Sequence, residues 1–245
     1  MGLGTCEFVK YWPKDFKFFP NGLIVVFIAL LAGSLLPATP HIGRAARHSK
    51  AKIEMSALVQ AIESYNSVYG LMPVSPSILQ AARSGSFTYG AIIPNPKSPS
   101  PIGILEEGQV TLNSELVAVL MDLTNYPGNP SQATVNTNHW LNPQQIKFIN
   151  ANMVPEISLP GVGPDLVYRD PWGMPYIITI NLSETNECQD AFYGRPILSP
   201  ATSGNDIHFP EHVRVMVWSA GPDRKINPGA PFDQAENKDN VLSWQ

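Results

Sequence analysis

The chain has 245 residues, 44% of them apolar, a formal net charge of −4 and a pI near 5.7. That apolar content excludes an intrinsically disordered chain, and the acidic balance argues against a general nucleic-acid binder, which would carry a basic stripe. Charged residues are only 15%, against roughly 25% in average soluble domains.

Residues 1–22 form a leader or cytoplasmic segment containing Lys10, Lys14 and Lys17. Residues 23–36, LIVVFIALLAGSLL, are fourteen positions without a charge. A spanning helix needs about 20 apolar residues, and the stretch also fits the apolar region of a removed secretion signal. The helical pattern continues past it through Ile53, Leu58, Ile62, Tyr65 and Tyr69. Gly70 stands where a C-cap glycine is expected, with Pro73 shortly after. The spacing therefore predicts one long helix over residues 23–70, membrane half about 23–37 and amphipathic half about 45–69. Pro37 and Pro40 should kink or interrupt it.

Of the 24 prolines, 20 lie after residue 70, so the rest of the chain is expected to be rich in loops. Residues 71–110 read as loop with little regular structure. Residues 114–123 (SELVAVLMDL) predict a short helix capped by Asn113 or Ser114. Residues 144–151, opened by Pro143, predict another. Strands are expected at 166–168, 176–180 and 213–218, the first two joined as a hairpin through Asp170-Pro171-Trp172-Gly173. Trp172, Trp218 and Trp244 read as core.

Catalytic patterns are weak. His208-Phe-Pro-Glu-His212 matches the H-x-x-E-H pattern of inverted zinc proteases, but Pro210 sits inside the helix that chemistry needs, so the segment reads as loop before a strand. His41, His48 and His139 are isolated. No G-x-S-x-G elbow or phosphate-cradling glycine loop is present, and no enzyme is expected. Cys6 and Cys188 cannot build a disulfide framework or a four-thiolate zinc site. Residues 221–240 gather Asp223, Asp233, Glu236 and Asp239 with Asn227, Asn237 and Asn240. Calcium takes six to eight oxygen ligands, often from one irregular loop, so this segment reads either as a calcium site or as a solvated, turn-rich loop.

In combination, four segments resemble the major pseudopilin of type II secretion systems, within the wider type IV pilin-like class. They are the apolar helix ending LLP; the Tyr65-x-x-x-Tyr69-Gly70-x-x-Pro73 close of AKIEMSALVQAIESYNSVYGLMP; Asp170-Pro-Trp-Gly-Met-Pro-Tyr176; and Ser219-Ala-Gly-Pro-Asp223 with Asp239-Asn240-Val-Leu-Ser-Trp244. The resemblance covers about residues 16–73 and 166–245; residues 74–165 have no counterpart in it and would be a large insertion, making up nearly all of a proline-rich region with short helices over 71–165. It departs from the family at the N-terminus. Aligned without gaps, Asp15 falls on the processing glycine and Pro20 on the fifth-position glutamate, and a cut after Gly22 would put Phe27 there.

The resemblance implies an α+β, pilin-like fold: a long, partly transmembrane N-terminal helix packed on a small antiparallel sheet formed by 166–245. It implies a structural subunit of a protein-export pseudopilus, single-pass in the bacterial inner membrane with its globular part in the periplasm. The implied partners are other pseudopilin subunits, the inner-membrane machinery and lipid. The implied calcium site uses Asp223, Asp239 and Asn240, with Asp233 and Glu236 as further candidates. Two other readings stay open: a minor or tip subunit of such a filament, and a secreted binding protein or hydrolase whose apolar segment is a cleaved signal.

Overall fold

The structure is a computed structural model and describes residues 39–82, 85–90, 92–93, 100–101, 111–183, 188–193, 213–227, 230 and 233–244. The leader, the apolar segment 23–36, Pro37, Cys6 and the His208–His212 pattern lie outside these residues. The chain divides into two units, Met1–Arg44 and Ala45–Gln245, and the fold described below is that of the second.

Helix α1 spans Thr39–Tyr69, with Pro40 in its first turn, where a missing N–H costs nothing. Ala51, Met55, Leu58, Ile62 and Tyr65 recur at steps of three or four and are all buried, so one stripe of the helix faces the core. Ile53 departs from the expected stripe: it is 69% exposed, because it lies on the opposite side of the helix from Met55 and Leu58. Burying Leu58 or Ile62 contributes roughly 1.5–3 kcal/mol each. Gly70, at φ +71°, ends the helix and donates its N–H to Asn66 O at 2.8 Å. That left-handed cap is readily adopted by glycine.

The 71–110 segment, expected as loop, carries regular elements. Helix α2 is Pro76–Ala82, β1 is Ser86–Tyr89, and β2 (Ile92–Ile93) pairs with β3 (Ser100–Pro101). Helix α3 is Ser114–Leu120, three residues shorter than expected, because Asp122 adopts φ 57° and breaks the helical path. A hairpin of β4 (Asn125–Tyr126) and β5 (Asn129–Ala133) follows, then a 3₁₀ turn, Thr137–His139. The expected helix at 144–151 is absent. Asn142 bonds the Ile146 N–H and C=O, and the N–H groups of Phe148 and Ile149 turn to Leu120 O instead of to their own chain. Tertiary acceptors outcompete the helical ones there.

Strand β6 (Gly161–Val162) pairs with β7 (Tyr168–Arg169). The main sheet has four antiparallel strands in the order β1, β8 (Ile177–Asn181), β9 (Val215–Ser219), β10 (Val241–Leu242). The expected strand at 166–168 starts later because Leu166 takes φ 58°. Its expected hairpin with β8 is reduced to one bridge, Arg169 to Pro175, together with a Tyr176 N–H to Tyr168 O bond. The ladders of β7 and β8 go elsewhere, to β6 and to β1 and β9.

Every residue of β8 and β9 is buried, which explains why Ile-Ile-Thr-Ile and Val-Met-Val-Trp read as continuous rather than alternating runs. Ile178, Ile180, Val215 and Val217 share a core with the α1 stripe and with Leu116–Leu120 of α3. Residues expected as insertion are thus part of that core. Ile177, Trp218 and Leu242 face the other way and form a second cluster with Phe192, Tyr193 and Ile226, on which Trp244 packs. Trp172 and Trp218 are buried as expected, and Trp244 is half-buried.

Candidate functional site

The C-terminal loop starts where β9 ends. Ser219 donates its hydroxyl to Asp170 Oδ2 at 2.5 Å and accepts the Gly221 N–H at 3.0 Å. Asp170 Oδ1 accepts the N–H groups of Trp172 and Met174, both at 2.9 Å. One buried carboxylate therefore shapes the Asp-Pro-Trp-Gly turn and fastens it to the start of the loop. Burial pushes the Asp170 carboxyl up, against the pull of the Ser219 hydroxyl and the backbone amides.

Gly221 sits at φ +71°, and a Cβ there would lie 2.1 Å from Asp239 O. The two ends of the loop touch at this point, so only glycine fits. Asn237, 2% exposed, draws the loop closed: its Oδ1 accepts the Asn227 N–H at 2.8 Å, and its Nδ2 donates to Asn227 O and Ala230 O. A short 3₁₀ helix, Ala235–Asp239, then delivers Asp239 and Asn240 to the edge of β10.

Of the expected calcium ligands, Asp223 and Asp239 are close enough that the negative charge of Asp223 adds to burial in raising the Asp239 carboxyl. Asp239 Oδ1 and Asn240 Oδ1 are buried oxygens with no hydrogen-bond partner, while Asn240 Nδ2 donates to the Tyr193 hydroxyl at 2.7 Å. Asp223 Oδ1 accepts the Lys225 N–H at 2.8 Å. The other two candidates stand differently. Glu236 accepts a 2.8 Å bond from Asn227 Nδ2, and Asp233 is exposed. Among the described residues no three His, Cys, Asp or Glu side chains form a metal-holding group, so a cation here would also need backbone carbonyls and water.

Three buried polar centres lie outside the loop. Asp190 has no distinguishing signal in the sequence, whereas Asn113 and Tyr65 with Tyr69 stand out there for other roles. Asp190, 1% exposed, accepts from the Phe192 and Tyr193 amides at 2.8 Å, from Trp218 Nε1 at 3.1 Å and from the Thr179 hydroxyl. Asn113 stands at the expected cap position but makes no side-chain cap bond. Its side chain instead bridges strands, accepting the Tyr168 N–H at 2.8 Å and donating to Tyr168 O and Tyr176 O at 3.0 and 2.9 Å. The Tyr65 hydroxyl donates to Leu141 O, and that of Tyr69 to Asn142 Oδ1 at 2.7 Å, with Phe148 packed edge-on to both rings. The Tyr-x-x-x-Tyr end of α1 is thus a clamp on the 141–148 segment.

An open cleft of about 440 Å³ lies beside the β4–β5 hairpin, lined among others by Leu112, Tyr126, Gln132, Ile157 and Pro164. Its one carboxylate, Asp165, is taken by the Arg169 guanidinium at 2.6 and 2.9 Å. Compared with protein-family models, with curated proteins and with solved structures, the chain matches none. No helix among the described residues is long and apolar enough to cross a membrane.

Proposed function

We propose that the chain is a structural, non-enzymatic pseudopilin: a subunit of a type II secretion pseudopilus that assembles through its N-terminal helix at the inner membrane. In this reading residues 23–36 sit in the bilayer and the unit from residue 45 onward lies in the periplasm. Its partners are other pseudopilin subunits, the inner-membrane secretion machinery and lipid. The observation that carries the reading is the packing of the buried α1 stripe on the β1-β8-β9-β10 sheet, with Asp170 and Ser219 bonding the two C-terminal motif segments to each other. An α1 half buried on one side leaves a second face, with Ile53 and Val68 exposed, for neighbouring helices.

Calcium belongs to the same proposal. Asp223, Asp239 and Asn240 would hold it, and the two partnerless buried oxygens of Asp239 and Asn240 suit a hard, oxygen-seeking cation. The ion would supply positive charge where Asp223 and Asp239 repel, tying the final segment to the sheet. With few charges, affinity near the 10⁻⁴–10⁻³ M order of extracellular modules is expected. Wild type should then melt higher in calcium than in chelator, and Asp223→Ala should remove the difference. Identical melting of wild type in both would end the calcium reading.

The test of the function itself is cysteine cross-linking in membranes. Single cysteines placed along residues 23–36 should give cross-linked ladders of this chain, or adducts with other pseudopilins. The C-terminal unit should be reachable by protease only from the periplasmic side. Recovery of the protein in the soluble fraction, with the apolar segment removed, would refute the proposal.

A further inference from the structure

A carboxamide is an ambivalent ligand for a cation: its oxygen coordinates, while its NH2 end presents protons and repels. A carboxylate offers oxygen whichever way it turns, but an asparagine must be held one way round. Of Asp223, Asp239 and Asn240, only Asn240 faces this constraint.

Asn240 Nδ2 donates to the Tyr193 hydroxyl at 2.7 Å, and its Oδ1 stays buried without a partner, as does Asp239 Oδ1. The backbone around Asn240 is fixed on both sides. Its N–H bonds Asn237 O at 3.2 Å, and the next residue, Val241, pairs with Ser219 in the sheet. With the backbone held, the bond to Tyr193 decides which end of the carboxamide is left over. That end is the oxygen.

Tyr193 is itself immobilised. It is buried, and its ring meets Phe192, Trp218 and Trp244 edge-on, with centroids 4.9, 5.0 and 5.6 Å away. Its amide and that of Phe192 bond Asp190 Oδ1, while Asp190 Oδ2 takes Trp218 Nε1 and the Thr179 hydroxyl. Thr179 lies on β8 and Trp218 on β9. The hydroxyl that grips Asn240 is therefore anchored in the sheet, outside the C-terminal loop.

We propose that Tyr193 is a positioning residue for calcium: its hydroxyl engages the N–H end of Asn240 and so reserves the Asn240 oxygen for the ion. This rests on the calcium reading above and extends the site from the 221–240 loop to the Asp190–Tyr193 segment. Groups that orient a metal's ligands govern its affinity by roughly 10–100-fold.

The test compares two backgrounds of the full chain in detergent, reading the calcium Kd from the melting midpoint as calcium is raised to about 30 mM at constant ionic strength. Tyr193→Phe keeps the ring and removes the hydroxyl, and should weaken calcium about tenfold or more in the Asn240 chain. Asn240→Asp has oxygen at both ends, so in that background the same change should weaken calcium by less than about threefold. A merely structural role for Tyr193 would weaken both alike. Where Tyr193→Phe lowers the midpoint in chelator, it does so in both backgrounds, and the contrast in Kd still decides. Equal loss in the two backgrounds, or no loss in the Asn240 chain while wild type responds to calcium, overturns the inference and leaves the calcium reading standing. Loss of the calcium response in Asn240→Asp alone overturns it as well, since the oxygen would then not be a ligand. A wild type indifferent to calcium ends both.

Discussion

Replacing Asn113 by alanine should be among the most damaging single changes outside the apolar core. Its carboxamide is fully buried and makes three hydrogen bonds to backbone groups of Tyr168 and Tyr176. Tyr168 O keeps a second donor, the Tyr176 N–H at 3.0 Å. Tyr168 N–H and Tyr176 C=O therefore lose the partner that Asn113 provides, deep in the core. At roughly 1–3 kcal/mol for each buried group left unsatisfied, the cost is about 2–6 kcal/mol. In urea unfolding of a chain starting at Ser49, this appears as a lower midpoint at unchanged slope. Asn113→Asp sharpens the test. It keeps the acceptor for Tyr168 N–H but turns an oxygen toward two carbonyls, so the variant should recover stability as pH falls and the new carboxyl protonates. A loss below about 0.5 kcal/mol for Asn113→Ala would refute the view that this side chain joins α3 to the Tyr168–Tyr176 turn.

Leu58→Ala, which empties a fully buried site on the α1 stripe, should cost about 2–5 kcal/mol by the same assay. Tyr65→Phe should cost only about 1 kcal/mol, since the ring stays and the bond to Leu141 O goes; an effect as large as that of Leu58→Ala would mean the clamp has been misread. Cys188 should resist iodoacetamide at pH 8 in the folded protein and react in urea, because burial, aided by the Asp190 charge, pushes its thiol up to about 12. Acid should act in two directions. Asp170 and Asp239 have raised carboxyls, so their ionisation opposes folding: without calcium, stability gains as pH falls through their folded pKa values, a gain complete below the unfolded 3.8. Asp165 behaves oppositely. Burial alone would raise it, but the Arg169 bond and charge hold it low, so its contribution is present above 3.8 and is lost as pH falls through its depressed value. Calorimetric melting between pH 7 and pH 3 in chelator, with Asp170→Asn as control, should show the first slope weakened in the variant; an unchanged slope would assign it elsewhere.

The parts of the fold legible in the sequence were those governed by local pattern. The helical spacing of Leu58, Ile62 and Tyr65, the Gly70 stop, and the β-branched runs of β8 and β9 all follow from period and propensity, although Ile53 was placed on the stripe where Met55 stands. What escaped depended on distant partners. Ser86–Tyr89 is a four-residue strand, and only its pairing with Ile178–Asn181 makes it one. Residues 144–151 carry a plausible helix start, yet Asn142 and Leu120 O claim their backbone groups. Asn113 looked like a cap because a cap is what its position favours locally, whereas its bonds reach more than fifty residues along the chain. At the C-terminal loop, composition and resemblance pointed to Asp223, Asp239 and Asn240, and the structure places Asp223 near enough to Asp239 for its charge to be felt there. The bond that occupies Glu236 was not legible, since it comes from Asn227, nine residues away, whose own backbone N–H is held by Asn237.

The strand order of the main sheet also dictates when the molecule can form. The central pair, β8 and β9, comes late in the chain, while its flanking partners lie at opposite extremes, β1 near the long helix and β10 at Val241–Leu242. The helix stripe has no sheet to cover it until residue 177 is available, and the Trp218 cluster stays incomplete until Leu242 and Trp244 arrive. Each closure spans a long stretch of sequence and is entropically slow. A chain emerging N-terminus first therefore spends most of its synthesis with an exposed apolar helix and no sheet. The strand order favours late, cooperative completion of the sheet.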